Sequence, residues 1–231
     1  LWLEYELLPW LPYAFERVLL SGDRPLVVDY DDAIFHRYDH HGSGIVRALL
    51  GRKIDRLMDR ASVVVAGNDY LADRARAAGA RRVEVLPSVI DLARYRQKET
   101  TEARSGFRVG WIGSPSTTPY LRSLEAVFRD LRGAPDLGVV NIGGTPWHPG
   151  GIDVENLPWA EDTEVRDMLS FDVGVMPLPD EPWARGKCGF KLIQYMGCAL
   201  PVVASPVGAN AQIVEHGLTG YHATTPPEWL Q

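Results

Sequence analysis

Short apolar runs that alternate with amphipathic segments constrain the fold of this chain more than any other feature. Residues 171–178 (FDVGVMPL) and 201–205 (PVVAS) have the length and composition of buried strands, and residues 187–200 between them carry helical periodicity. A strand, a helix and a further strand in this order are typical of a doubly wound sheet. The pattern therefore predicts an α/β fold.

The same alternation occurs on both sides of a polar stretch at 96–106, which has the composition of a linker. Before it, the sequence predicts a helix at 13–20, a strand within 25–35, a helix at 45–61, a strand at 62–67, a helix at 68–79 and a strand at 83–91. After it, strands and helices are predicted within 107–131, 136–144 and 152–178. We therefore predict one domain over 1–95, a linker at 96–106 and a second domain over 107–231.

Polar residues form one stripe of the helix predicted at 187–200. At 100° per residue, Lys187, Lys191 and Gln194 fall within a narrow arc, opposite an apolar side. Two ammonium groups near a helix N-terminus suit an anion such as a diphosphate. Like charges in a first turn oppose the helix dipole, so the arrangement favours a functional role over an ordinary solvated helix face.

The segment 191–221 (KLIQYMGCALPVVASPVGANAQIVEHGLTGY) resembles the donor-binding segment of family 4 retaining glycosyltransferases, a group with the GT-B fold. The pattern GKCGFKLIQYM…PVVASPVG at 186–208 is similar to that of a bacterial subgroup. The resemblance implies two Rossmann-like doubly wound domains that face each other across a cleft. Residues 1–95 would be part of an incomplete N-terminal, acceptor-side domain, and residues 107–231 a donor-binding domain truncated at its C-terminus, so that the chain would be a fragment.

The resemblance also implies an activity. A hexosyltransferase of this kind moves a sugar from a nucleotide-diphosphate donor to a saccharide, a lipid carrier or a cell-envelope precursor, with retention of anomeric configuration. Neither a protein nucleophile, a metal nor a cofactor is expected, since the nucleotide sugar is itself the donor substrate. Lys187 and Lys191 would be the catalytic residues, because they would stabilise the growing negative charge of the leaving diphosphate.

Several residues are candidates for binding the donor diphosphate. Gly113 and Ser114 stand where the first strand of the second domain turns towards a helix, a place where backbone N–H groups can hold a phosphate. The family has an Arg and a Lys near this turn, and the chain has neither. We expect cations elsewhere to compensate, so that the diphosphate contacts are Gly113, Ser114, Arg185, Lys187, Lys191, Gly208, Ala209 and Asn210.

The chain departs from the family at a signature of two glutamates eight residues apart, where it has Gly186 and Gln194. An amide can still bond ribose hydroxyls, so Gln194 is a ribose candidate, whereas Gly186 offers no side chain. Pro158 and Trp159 lie in a segment similar to the nucleobase-binding loop. The absent first glutamate and the absent Arg and Lys of the phosphate turn favour a non-catalytic sugar-nucleotide-binding module as one alternative. A GT-B sugar-nucleotide epimerase is another.

Acidic residues follow the predicted strand that begins at Pro25. Carboxyl ends of parallel strands face the ligand crevice, which would place Asp31 and Asp32 in the acceptor-side cleft, in contact with acceptor hydroxyls. A metal–nucleotide D-x-D motif, a phosphatase nucleophile and simple helix capping are the alternatives. Farther on, His36, His40 and His41 have a spacing that can bind zinc on a helix, but we predict a flexible, Gly-terminated loop there.

The amino-acid composition of the chain limits the kinds of partner and the cellular location that we expect for it. The net charge of −6, from 24 basic and 30 acidic residues, argues against general nucleic-acid binding. Cys188 and Cys198 lack metal-ligand spacing, and a reducing cytoplasm is the simplest context for them. No stretch is long and apolar enough for a membrane span. Aromatic residues such as Trp2 and Phe15 would pack on the rest of the N-terminal domain or mark a surface that faces an acceptor or a membrane. The expected location is the cytoplasm, with peripheral contact at the inner face of the membrane as a further expectation.

Overall fold

The computed structural model describes residues 1–22, 24–97, 106–131 and 137–230 of the 231-residue chain. The chain divides into two compact units, which we call the first unit (Leu1–Ser88 with Asp180–Cys188) and the second unit (Val89–Pro179 with Gly189–Gln231). Each unit contains its own parallel sheet and its own buried core. Residues 180–188, placed by the sequence in the donor-binding domain, thus belong to the first unit, and most of the predicted linker lies outside the described residues.

The first unit is built on a four-stranded parallel sheet in the order β1-β2-β3-β4. Its strands are β1 (Trp2–Glu4), β2 (Val27–Tyr30), β3 (Val63–Ala66) and β4 (Val83–Val85). Its helices are α1 (Tyr13–Leu19), α2 (His36–Asp39), α3 (Gly44–Leu50), α4 (Lys53–Arg60), α5 (Asp69–Ala78) and α9 (Pro182–Arg185). Val28, Val64 and Leu57 are fully buried where helices cover the sheet.

Local sequence signals explain helix α5. The Asn68 side chain caps it by accepting a hydrogen bond from the Leu71 N–H at 3.0 Å. Gly79 ends it in the left-handed conformation, with a φ of 98° that favours glycine. Both ends agree with the sequence-based prediction.

Other predictions for the first unit were wrong in detail. The helix expected at 45–61 is broken into α3 and α4, and the strand expected at 83–91 ends at Val85. Strand β1 was not predicted, because residues 1–20 are rich in apolar and aromatic residues throughout and Trp2–Glu4 does not stand out as a separate run. Residues 36–39, predicted as part of a flexible loop, form a turn of helix with His36 buried.

The second unit is built on a six-stranded parallel sheet in the order β10-β9-β8-β5-β6-β7. Its strands are β5 (Phe107–Ile112), β6 (Leu137–Ile142), β7 (Asp153–Leu157), β8 (Val173–Met176), β9 (Val202–Ala204) and β10 (Gly220–His222). Its helices are α6 (Thr118–Arg122), α7 (Glu125–Leu131), α8 (Glu164–Met168), α10 (Phe190–Gly197), α11 (Asn210–Ile213) and α12 (Pro226–Trp229). The strand order reverses at β5, which pairs with both β6 and β8.

Helix α10 begins later than the sequence predicts. Gly189 precedes it in the left-handed conformation, with a φ of 72°, and the helix covers Phe190–Gly197 instead of 187–200. Tyr195 anchors it to the sheet, where its buried hydroxyl accepts a hydrogen bond from the Ile112 N–H at 3.1 Å. Lys187 therefore lies outside the helix, and the prediction that it shares a helical stripe with Lys191 was wrong.

The chain folds as an α/β protein whose parallel sheets alternate with helices. Among the described residues, none of the helices has the length and apolar character needed to cross a membrane.

Candidate functional site

The candidate site of the second unit lies at the carboxyl ends of β5 and its neighbours, because ligands of open α/β sheets bind where the strand order reverses. Gly113 follows β5, and its N–H donates to the Ile142 carbonyl at 3.0 Å. A Cβ atom on Gly143 would lie 2.6 Å from the Gly113 carbonyl oxygen, so this approach requires glycine. The turns that follow β5 and β6 thus approach each other through backbone atoms, and both glycine N–H groups are bonded within the unit, that of Gly143 to the Leu157 carbonyl at 2.8 Å.

Ser114, the second residue predicted in this turn, is exposed and begins a short 3₁₀ turn at Pro115–Thr117. Its N–H already donates to the Thr117 hydroxyl at 3.1 Å. The Ser114 hydroxyl lies 2.9 Å from that of Ser116. Its hydroxyl is thus the group best placed to reach a ligand.

Lys191 occupies the second position of α10, and its Nζ atom lies 5.5 Å from the centre of the Trp111 ring. That ring is buried beneath Gly113, where a Cβ atom would come within 2.4 Å of it. Trp111 therefore contacts both the phosphate-type turn and the lysine. The structure brings Gly113 and Lys191, which are 78 positions apart in the sequence, to the same end of β5.

Two further predicted residues are linked by a hydrogen-bonded network. The Gln194 amide donates to the Tyr95 hydroxyl at 3.2 Å, and this hydroxyl donates to Glu164 at 3.0 Å. The Trp159 indole N–H donates to the other Glu164 oxygen at 2.7 Å. The predicted ribose residue and the predicted nucleobase residue thus share one buried carboxylate.

Sequence reasoning missed the two residues that complete this network. Glu164 lies in the segment LPWAEDTEV that carried the resemblance to a nucleobase loop, so its position was visible. Tyr95 stands in a polar stretch without periodicity and gave no signal. Burial is the main cause that raises the pKa of Tyr95, which keeps its hydroxyl protonated and able to donate to Glu164.

The turn before α11 is more enclosed than predicted. Asn210 is fully buried, and its amide donates to the Ser205 carbonyl at 3.1 Å. Its Oδ1 atom has no partner among the described residues. Gly208 has a φ of 57°, and Ala209 is 7% exposed. Of the other predicted residues, Pro158 is exposed beside Trp159.

The first unit has its own cluster at the carboxyl end of β2. The Lys187 ammonium donates to both oxygens of Asp32, at 2.8 Å and 3.0 Å. The Tyr5 hydroxyl, carried by a residue with a φ of 62°, donates to Asp31. Partial burial, followed by the nearby charge of Asp32, raises the pKa of Asp31. The structure thus joins predicted acceptor-side aspartates to a predicted diphosphate lysine.

Asn68 fixes the backbone that carries Lys187. Besides capping α5, its amide donates to the carbonyls of Gly186 and Lys187, each at 3.1 Å. Gly186 packs against Ala33 so closely that a Cβ atom would lie 2.4 Å from the alanine methyl. The glycine that replaces the family's first glutamate is therefore required by packing.

Arg185, the remaining predicted cation, forms a two-pronged ion pair with Asp180, at 2.6 Å and 3.1 Å. The hydrogen bond from Arg185 lowers the pKa of the Asp180 carboxyl. Both side chains are exposed, so this pair exchanges readily with other anions.

Comparisons with known proteins agree with this fold. Residues 120–231 match a protein-family model described as glycosyl transferases group 1. No curated protein sequence gives a significant match. The structure is similar to Anabaena Alr3699/HepE, which was solved in complex with UDP and glucose: the TM-score is 0.63 and the identity 21%, over 89% of this chain and 59% of that one.

Two further solved structures show the same similarity. Sucrose-phosphate synthase from Thermosynechococcus elongatus has a TM-score of 0.65 and 15% identity, over 91% of this chain and 57% of that one. TarM has a TM-score of 0.64 and 12% identity, over 91% of this chain and 43% of that one. The chain thus spans less than two thirds of these relatives, and it has an α/β fold that matches GT-B glycosyltransferases.

Proposed function

We propose that this chain forms part of a glycosyltransferase that moves a sugar from a nucleotide-diphosphate donor to an acceptor. The observation that carries the proposal is the family match over 120–231, a range that lies largely in the second unit and includes its predicted donor residues except Gly113 and Ser114. Within that range, Lys191 stands at the carboxyl end of β5, beside a turn built from glycine backbone. A positive charge beside a glycine turn at the carboxyl end of a strand is an arrangement that suits a phosphate.

On this proposal the donor diphosphate lies against Gly113 and Ser114, with Lys191 as its cation. Charge-assisted bonds from an ammonium to phosphate are stronger than bonds between neutral groups. Gly208, Ala209 and Asn210 offer the backbone of a second turn. The buried Asn210 Oδ1 atom, which has no partner among the described residues, is an acceptor for a donor hydroxyl.

The nucleoside is assigned to the network around Glu164. Trp159 is 52% exposed while its indole N–H is fixed by Glu164, so a ring face can stack on a base. Gln194 is 3% exposed and bonds the Tyr95 hydroxyl. We assign the ribose contact to this pair, with Tyr95 fixing the orientation of the amide.

In the proposed reaction, negative charge grows on the leaving diphosphate while the sugar becomes oxocarbenium-like. Lys191 stabilises that charge, which lowers the barrier without a protein nucleophile or a metal, and the family resemblance supports the same role for Lys187. The family resemblance supports retention of configuration. Asp31 and Asp32 would contact acceptor hydroxyls, and the raised pKa of Asp31 favours hydrogen bonding over a fixed negative charge.

UDP is the first nucleotide to test, because the Anabaena HepE structure contains UDP and glucose. We propose a saccharide, a lipid carrier or a cell-envelope precursor as acceptor. Trp2 and Phe15 are 64% and 56% exposed, which supports peripheral contact with a membrane from the cytoplasmic side.

A non-catalytic sugar-nucleotide-binding module is the second candidate. The observation that favours it is that Asp32 and Asp180 already neutralise Lys187 and Arg185. Such a module would bind the nucleotide sugar and release neither free sugar nor product. Both candidates bind the nucleotide sugar, but only the glycosyltransferase converts it to a product.

The test is calorimetric titration of the protein with UDP-glucose, GDP-glucose, ADP-glucose, UDP and uridine. Lys191→Met removes the charge and keeps the stem, so we expect UDP to bind at least about tenfold more weakly, roughly 1.4 kcal/mol. Uridine, which has no phosphate, should bind the variant and the wild type alike. Arg129→Ala, which removes an exposed cation paired with Glu125, is the matched control.

The outcomes separate the candidates. Binding of no nucleotide, or equal UDP affinity in the wild type and Lys191→Met, would refute the donor site. Tight binding with neither transfer nor slow hydrolysis of the donor would select the binding module.

A further inference from the structure

A cluster of metal-ligand side chains lies on α2, away from every residue used above. His36 and Asp39 belong to this helix and His40 caps its C-terminus, so the three stand at positions i, i+3 and i+4 on one face. One ligand atom from each lies within 4.8 Å of the others. The sequence alone predicted a flexible loop here, whereas the structure gives a helical turn that orients the side chains.

The separations suit a small transition metal. His36 Nδ1 lies 2.8 Å and His40 Nε2 3.9 Å from the same Asp39 oxygen. Ligands at about 2.0–2.2 Å in a tetrahedron are roughly 3.4 Å apart, a value between these two distances. The His36 and His40 rings are stacked with their centres 4.1 Å apart, so the His40 side chain, which is 55% exposed, has to rotate out of this stack to place its Nε2 atom on the same ion.

Outer contacts already hold two of the three ligands. The Tyr70 hydroxyl lies 2.8 Å from His36 Nε2, the ring nitrogen that would not bind the metal. Arg74 pairs with the second Asp39 oxygen at 3.0 Å and leaves the first one available. Partners of this kind on the far side of each ligand are a regular feature of metal sites. Asp55, 2.7 Å from Arg74, offsets the charge of the guanidinium.

We propose that His36, Asp39 and His40 bind a divalent transition metal of the zinc type. Two imidazoles and one carboxylate suit this class and disfavour magnesium, which prefers oxygen ligands. The three side chains leave a fourth position, which water fills from the exposed side of His40. On binding, neutral His36 presents its Nδ1 lone pair to the metal, and the single proton of the ring lies on Nε2, which donates to the Tyr70 hydroxyl.

The test is calorimetric titration of the whole chain with Zn²⁺, in the absence and presence of excess Mg²⁺. We expect one Zn²⁺ per chain, an affinity unchanged by Mg²⁺, and binding at least about tenfold weaker in His40→Ala. Asp39→Asn should weaken it too. His148→Ala, which removes an exposed histidine of the second unit, is the matched control and should bind as the wild type does.

His40 is exposed, so its replacement leaves the fold intact, and a thermal unfolding curve for each variant confirms this. The added Zn²⁺ should raise the unfolding temperature of the wild type and of His148→Ala, but not of His40→Ala. Equal Zn²⁺ affinity in the wild type and His40→Ala, or no stoichiometric binding at micromolar Zn²⁺, would overturn the proposal.

Discussion

The side chain of Asn68 has two separate tasks, and substitutions can tell them apart. Its Oδ1 atom caps α5 through the Leu71 N–H at 3.0 Å, and its amide donates to the carbonyls of Gly186 and Lys187 at 3.1 Å. Asn68→Ala removes both tasks. Asn68→Asp and Asn68→Ser keep a capping oxygen and remove the amide donor, and the former also adds a charge.

The magnitudes follow from these contacts. Loss of the cap costs about 1 kcal/mol of unfolding free energy. Leaving buried acceptors without a donor costs about 1–3 kcal/mol. Asn68 is 5% exposed, so the introduced carboxylate would also face two carbonyl oxygens away from water. We therefore expect Asn68→Asp to lose roughly 3 kcal/mol, at least as much as Asn68→Ala, with Asn68→Ser losing about 1–3 kcal/mol.

Urea unfolding at pH 7, followed by circular dichroism, measures the three differences. Hydrogen exchange adds a local readout, since amides at 180–188 should exchange faster in Asn68→Ser while α5 stays protected. If the cap were the only task, Asn68→Asp would lie within about 0.5 kcal/mol of the wild type and Asn68→Ala would lose about 1 kcal/mol. That order would refute the role of Asn68 in holding the Lys187 backbone.

Three further predictions concern packing, hydrogen bonding and reactivity. A Cβ atom on Gly110 would lie 1.9 Å from the Phe171 ring, so Gly110→Ala should lower the unfolding free energy by about 1–3 kcal/mol. Gly150 has open space around it, so the control variant Gly150→Ala should change the unfolding free energy by less than about 0.5 kcal/mol. Tyr95→Phe removes the hydroxyl that bonds both the buried Gln194 amide and the Glu164 carboxylate, so urea unfolding should show an unfolding free energy lower by about 1–3 kcal/mol. An unchanged free energy would show that the amide and the carboxylate bond each other directly in the variant. Burial, with two nearby carboxylates, raises the pKa of the Cys188 thiol to about 12. Iodoacetamide at pH 8 should therefore label Cys188 on the order of a thousandfold more slowly in the folded chain than in urea, as measured by peptide mass spectrometry. Equal labelling rates would contradict the burial of the thiol.

Features that depend on neighbours in sequence could be predicted. Apolar runs at 62–67 and 201–205 became β3 and β9, and the cap at Asn68 and the stop at Gly79 define α5. Strands β1 and β10 lack the short, bounded apolar run that indicated β9, so neither was predicted. The late start of α10 follows from Gly189, whose left-handed conformation a periodicity count does not register.

Site residues could be named from the sequence more easily than their partners. Gln194 and Trp159 were candidates, but Tyr95, which links Gln194 to Glu164, lies in a polar segment without a recognisable motif. Such networks depend on which loops the sheet brings together, and a sequence contains that information only through the whole fold. The ion pair of Lys187 with Asp32 joins residues 155 positions apart and is of the same kind.

That ion pair changes the argument for Lys187. The sequence placed this lysine in a first helical turn, where a second cation would oppose the helix dipole, and the structure removes that reason because α10 begins at Phe190. The argument for Lys187 now depends on the strength of its ion pair with Asp32 compared with the strength of its bonds to a diphosphate. The lysine and Asp32 side chains are 16% and 30% exposed, so their pair is partly shielded from solvent and is stronger than an open surface pair, which contributes about 0–1 kcal/mol. Charge-assisted bonds to a diphosphate, which carries more charge than one carboxylate, are the stronger alternative.

On the proposed function, Asp32 therefore holds Lys187 until the donor replaces it, and Asp32→Asn should tighten UDP binding and leave uridine binding unchanged. Weaker UDP binding in Asp32→Asn would show instead that the carboxylate positions the lysine for the donor.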